Sequence, residues 1–85
     1  MYPVTRRRQR IMEVMAFIAE KRRVRLNDLL GEFTWRWGLR PQTLTSYLDA
    51  LELAGMIRAH ETPEGVVVEI TEKGLKTSGL KKPEG

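Results

Sequence analysis

The sequence predicts an α+β fold, mainly helical, in which three helices are followed by a β-hairpin. Three observations carry that prediction. Ile11, Val14, Met15 and Ile18 recur at i, i+3, i+4 and i+7, which gathers them on one face of a helix. A later stretch is bracketed by Pro41 and Gly55, a proline just inside a helix start and a glycine just past its end. Two runs rich in apolar and β-branched residues, Met56 to Glu61 and Val66 to Thr71, flank Thr62-Pro63-Glu64-Gly65, whose proline and glycine stand in the order a reversing turn prefers.

In chain order, Thr5 is placed to cap helix 1, which begins at Arg6 and runs to about Arg22. Arg6, Arg7 and Arg8 then occupy the positive end of the helix macrodipole, an unfavourable position unless an anion such as phosphate or another group compensates them. Val24 suggests a short strand. Asn27 or a neighbour starts helix 2, whose buried face uses Leu29, Leu30 and Phe33. Gly31 weakens that helix by about 1 kcal/mol relative to alanine. Gly38 supplies the turn before helix 3. Arg40 precedes a proline and is pushed toward extended geometry, so helix 3 runs from Pro41 to Ala54. On a helical wheel Leu44, Tyr47, Leu48, Leu51 and Ala54 share one side, and Gln42, Thr45, Ser46, Asp49 and Leu53 share the other. Beyond the hairpin, Gly74, Gly79 and Pro83 with several lysines predict a short helical turn and a frayed end. The chain thus divides into one domain over residues 1–76 and a flexible basic tail over 77–85.

Eighty-five residues make a single domain, because a chain of this size buries only about 60–65% of its unfolded surface and cannot support two cores. The 41% hydrophobic and 31% charged shares are those of an ordinary globule. There is no cysteine, hence no disulfide or thiolate metal site. No apolar run of membrane-spanning length or signal-peptide core is present, so a cytoplasmic location is expected. The net charge is +4 and is unevenly spread: residues 1–25 hold eight basic side chains against Glu13 and Glu20, net +6, which leaves −2 for the remainder. A phosphate backbone attracts such a segment through counterion release, and an anionic membrane or acidic protein would attract it too.

Nothing in the sequence reads as an enzyme. His60 has no second histidine or cysteine to share a metal, and no phosphate-binding glycine loop or nucleophile with a basic partner is present. Asp49 and Glu52 are paired carboxylates on a helix face, not evidently in a cleft. No cofactor and no metal are expected. Trp35 and Trp37, one residue apart, face different ways on a helix, and Met12 and Phe17 widen the apolar surface of helix 1. These four are the candidates for a protein partner or a homodimer.

The segments Pro41-Gln42-Thr43-Leu44-Thr45-Ser46-Tyr47-Leu48, Leu51-Glu52-Leu53-Ala54-Gly55-Met56-Ile57 and Ile70-Thr71-Glu72-Lys73-Gly74 resemble the winged-helix transcription regulators of bacteria and archaea, over roughly residues 5 to 76. They look like that family's polar recognition helix, its leucine-to-glycine closing segment and the ending that follows its second wing strand. The resemblance implies a winged helix-turn-helix on double-stranded DNA, with the N-terminal half of helix 3 in the major groove and the wing and helix N-termini on phosphates. It implies base contacts from Gln42, Thr43, Thr45 and Ser46, with Tyr47 reaching a phosphate. Phosphate candidates are Arg6, Arg7 and Arg8, together with Arg36, Arg40 and Arg58, because no lysine or arginine lies between Pro41 and Ala54.

Three features depart from the family pattern. Asp49 and Glu52 put negative charge on helix 3, and the wing tip Glu61-Thr62-Pro63-Glu64-Gly65 is acidic with no arginine to enter a minor groove. Those departures favour a protein-interaction module of a larger assembly, whereas the basic first segment favours DNA, whether as a regulator or as a non-specific nucleoid binder. The long C-terminal dimerisation helix of many relatives is opposed by Gly74 and Gly79.

Overall fold

The computed structural model describes residues 3–79. Their elements are α1 (Pro3–Lys21), β1 (Arg23–Arg25), α2 (Leu26–Trp37), α3 (Pro41–Leu53), β2 (Ile57–Thr62), β3 (Gly65–Ile70) and α4 (Glu72–Ser78). The start of α1 differs from the sequence expectation: it lies at Pro3, whose fixed φ suits a first helical position, so Thr5 falls inside the helix instead of capping it. Most of the expected tail, residues 80–85, lies outside the described residues; Thr77 and Ser78 close α4.

The turn between α2 and α3 follows from two residues. Gly38 takes a left-handed φ of 67°, and the Gly38 and Leu39 N–H groups return to the carbonyls of Thr34 and Phe33 at 2.8 and 3.4 Å, closing α2. Arg40 is extended (φ −76°, ψ 151°), and Pro41 opens α3. Gly31, in mid-α2, has nothing within 4 Å of where a Cβ would stand. Gly31→Ala should therefore stabilise the protein by about 0.5–1 kcal/mol, seen as a rise of roughly 5 °C in thermal melting.

The strands form one antiparallel sheet in the order β1-β3-β2. The strand suggested by Val24 is thus the outer neighbour of β3, with Arg23↔Glu69, Val24↔Val68 and Arg25↔Val67 in register. The hairpin pairs Ile57↔Ile70 through Thr62↔Gly65. Its tip is pinned by Thr62, whose hydroxyl donates to the Gly65 carbonyl at 2.7 Å and accepts from the Glu64 N–H at 3.2 Å. Alternation along the strands sends Val24, Ile57, Val68 and Ile70 toward the helices.

The core joins Val14, Met15 and Ile18 of α1, Leu29 and Phe33 of α2, Leu44, Tyr47, Leu48 and Leu51 of α3, and Ile57 and Val68 of the sheet. Each such side chain contributes about 1.5–3 kcal/mol by leaving water. Among the described residues no polar or charged side chain is buried.

The Ile70-Thr71-Glu72-Lys73-Gly74 segment fastens the end of α3 to the sheet. Thr71 Oγ1 accepts from the Gly74 N–H at 3.1 Å and so caps α4, while the same hydroxyl lies 2.6 Å from the Gly55 carbonyl and 2.9 Å from that of Met56. The Thr71 N–H also donates to Met56 O at 2.9 Å, and Lys73 Nζ donates to Ala54 O at 2.9 Å. At Gly74 an added Cβ would stand 2.3 Å from Met56 O and 2.6 Å from Ile70 Cδ1, so only glycine fits.

Candidate nucleic-acid interface

Helix α3 is held by its inner side. Leu44, Tyr47, Leu48 and Leu51 are buried, which leaves Gln42, Thr45, Ser46, Asp49, Glu52 and Leu53 exposed, with Thr43 half-buried at the margin. The Thr45 hydroxyl donates to Pro41 O at 2.8 Å, so its outward functions are its methyl group and its lone pairs.

The positive charge that α3 lacks is supplied by α1. Arg7 donates to Ser46 Oγ at 3.2 Å, and its guanidinium carbon lies 5.4 Å from the centroid of the Tyr47 ring. A base-contact candidate and a phosphate candidate are therefore in direct contact, although 39 residues separate them in sequence. Tyr47 itself is 6% exposed, and its ring serves the core and supports Arg7. Arg6 and Arg8 are exposed on the same α1 turns, and Arg40 is exposed at the N-cap of α3.

The remaining cations are elsewhere. Arg36 pairs with Glu32 one turn earlier on α2 and lies over the Phe33 and Phe17 rings at 5.2 and 5.8 Å, so its partners belong to α1 and α2 and not to α3. Arg58 is exposed on the sheet surface opposite Glu69. Of the partner candidates, Phe17 and Trp37 are half-buried against Phe33, with ring centroids 5.4 and 4.8 Å away, and Arg10 covers Trp37. Trp35 remains 85% exposed and Met12 38% exposed.

Compared with solved structures, the chain is similar to a protein described as "F93 FROM STIV, a winged-helix DNA-binding protein", with a TM-score of 0.68 and 24% sequence identity over 86% of this chain and 82% of that one. The chain has the winged-helix fold. No protein-family model matches it, and no curated protein matches it in sequence.

In winged-helix terms α2 and α3 are the helix-turn-helix, and β2 with β3 is the wing. The wing tip keeps Glu61 and Glu64 exposed, and His60 Nδ1 lies 4.0 Å from a Glu69 carboxylate oxygen behind it. The winged-helix surface also carries Leu53, 91% exposed at the end of α3 beside Asp49 and Glu52, a feature not singled out from sequence although the helical wheel places it there. Among the described residues no group of three or more His, Asp or Glu side chains is arranged to hold a metal, and no helix is long and apolar enough to cross a membrane.

Proposed function

We propose that this winged-helix protein binds double-stranded DNA with α3 in the major groove and regulates transcription by occupying its site. The observation that carries this reading is the two-sided character of α3: its apolar face is locked into the core, while Gln42, Thr45 and Ser46 stay exposed and Ser46 is joined to Arg7. Gln42 suits adenine, to which a carboxamide pairs with two hydrogen bonds, and the Thr45 methyl suits thymine. Asp49 suits the exocyclic amino group of cytosine and is repelled by the acceptor edge of guanine, so it sharpens base choice at the expense of affinity. Arg6, Arg8 and Arg40 are the phosphate contacts, Arg7 braces Ser46, and a cytoplasmic location fits this role. The exposed Trp35 and Met12 are the surfaces on which a homodimer would pair two half-sites.

The test is selection of bound fragments from genomic DNA, followed by affinity for the best fragment and a scrambled duplex across salt. One enriched motif is expected. Combining Gln42→Ala with Ser46→Ala should then weaken the best fragment about 10- to 100-fold while leaving the scrambled duplex nearly unchanged, since a good bidentate base contact, here that of Gln42, is worth about 1–3 kcal/mol of discrimination. Unchanged preference in that variant would remove α3 as the reader. Tight, salt-sensitive binding without enrichment would make the protein a non-specific nucleoid binder.

A second reading, a winged-helix module that docks on another protein, is favoured by one observation: α3 has no lysine or arginine, carries Asp49 and Glu52, and ends in the exposed Leu53. No binding to any duplex at moderate salt would decide for it.

A further inference from the structure

The outer face of the sheet gathers arginines that are far apart in sequence. Register sets Arg23 of β1 and Arg58 of β2 on either side of Glu69 of β3, and one pair further along sets Arg25 and His60 on either side of Val67. Alternation against Val24, Ile57, Val68 and Ile70 sets all six on the sheet face opposite the core cluster, where His60 meets Glu69 and Val67 is buried at 8% exposure. With strands about 4.8 Å apart, Arg23 and Arg58 stand about 10 Å from one another, and Arg25 lies about 7 Å along from Arg23. Arg23, Arg25 and Arg58 are all exposed. Among the described residues the ion pairs are Arg36–Glu32 and His60–Glu69, so none of the three guanidiniums has a carboxylate within 4.0 Å. Glu69 can offset one of them at most; Arg23 and Arg25 also border a groove lined by Lys21, Asp28, Glu32 and Glu64, yet the three arginines share one sheet face, where like charges work against folding.

We propose that this face is a second phosphate-binding surface, built from Arg23, Arg25 and Arg58, that holds the backbone of duplex DNA without regard to sequence. The inference rests on the DNA-binding reading above. The chemistry of the face selects the partner. A membrane surface would need apolar side chains to insert, and the one apolar residue here, Val67, is 8% exposed. A protein interface would centre on exposed aromatic or large apolar anchors, and among the six residues of the face the one apolar side chain is the buried Val67. Guanidinium groups spaced by a rigid sheet suit a regular array of phosphates, to each of which an arginine can donate two hydrogen bonds. The acidic wing tip and this basic face are then complementary: the hairpin meets DNA through its flat surface and the neighbouring strand, not through its end.

The full chain carrying Arg23→Gln, Arg25→Gln and Arg58→Gln together tests this, with the wild type's preferred duplex titrated across a salt series. Each phosphate neutralised contributes about 0.9 to the slope of log affinity against log salt, so the slope should fall by about 2 to 3 while the ranking of sequences is kept. Glu69→Gln should bind several-fold more tightly, because it removes the carboxylate that stands between Arg23 and Arg58. Thermal melting of both variants close to wild type would assign these changes to binding. A wild-type slope in the triple variant with unaltered affinity in Glu69→Gln overturns the inference and leaves the α3 reading intact. If the triple variant instead loses cosedimentation with anionic lipid vesicles at an unchanged DNA slope, the face belongs to a lipid surface and the inference is likewise overturned. A wild-type protein that binds no duplex at low salt overturns the DNA reading itself.

Discussion

Gly74→Ala is expected to destabilise the protein by about 3 kcal/mol or more, and to lower its melting temperature by roughly 12–25 °C. The new methyl group would stand 2.3 Å from the Met56 carbonyl oxygen, a backbone atom that cannot rotate aside, and 2.6 Å from Ile70 Cδ1. Relief requires α4 to move off the α3–β2 loop. That movement would break the 2.9 Å bond from the Thr71 N–H to Met56 O and both approaches of the Thr71 hydroxyl to the Gly55 and Met56 carbonyls. Thermal unfolding followed by circular dichroism reads the effect directly. Lys73→Ala is the control, since it removes one exposed bond to Ala54 O and should cost under about 1 kcal/mol. A Gly74→Ala protein that melts within a few degrees of wild type would mean that the segment docks loosely and that its close fit is not needed.

Phe33→Ala should cost about 3–5 kcal/mol, as expected for emptying a large, fully enclosed site. Phe33 is 0% exposed, and its ring meets Phe17 edge-on at 5.4 Å and Trp37 at 4.8 Å. An 85-residue domain has a total stability of about 4–13 kcal/mol, so this one truncation removes about a quarter of it or more. Urea unfolding should show a large drop in midpoint with little change in slope. Phe33→Leu, which keeps most of the volume, should lose no more than about 2 kcal/mol. Equal losses for the two variants would show that ring geometry matters more than volume. Arg36 is a secondary reporter: losing the Phe33 ring removes one of its two aromatic contacts, so its pairing with Glu32 should loosen.

How far the sequence foretold this architecture depends on how local each signal was. α3 was legible because Pro41 and Gly55 fix its ends through their own backbone limits, and Leu44, Tyr47, Leu48 and Leu51 fix its inner side by spacing alone. The hairpin was legible for the same reason, with strand limits shifted by one residue. β1 was only hinted at by Val24, because a three-residue strand takes its identity from its partner, here β3. Thr5 misled because a threonine before an arginine-rich helix looks like a cap, whereas Pro3 is the better first residue. The partner of Arg36 was in view at i−4 in Glu32 and would have placed that arginine on α2's own surface. The contact of Arg7 with Ser46 and the grouping of Arg23, Arg25 and Arg58 were not legible, since packing and strand register alone bring them together.

The joint between α3 and the sheet has an evolutionary consequence. Thr71, Lys73 and Gly74 grip the chain through the carbonyls of Ala54, Gly55 and Met56, which every amino acid carries alike. The exposed letters of α3, from Gln42 to Leu53, take no part in that grip. They can be rewritten one by one while the angle between helix and hairpin stays fixed, which makes the outward side of α3 an interchangeable faceplate on a constant mount.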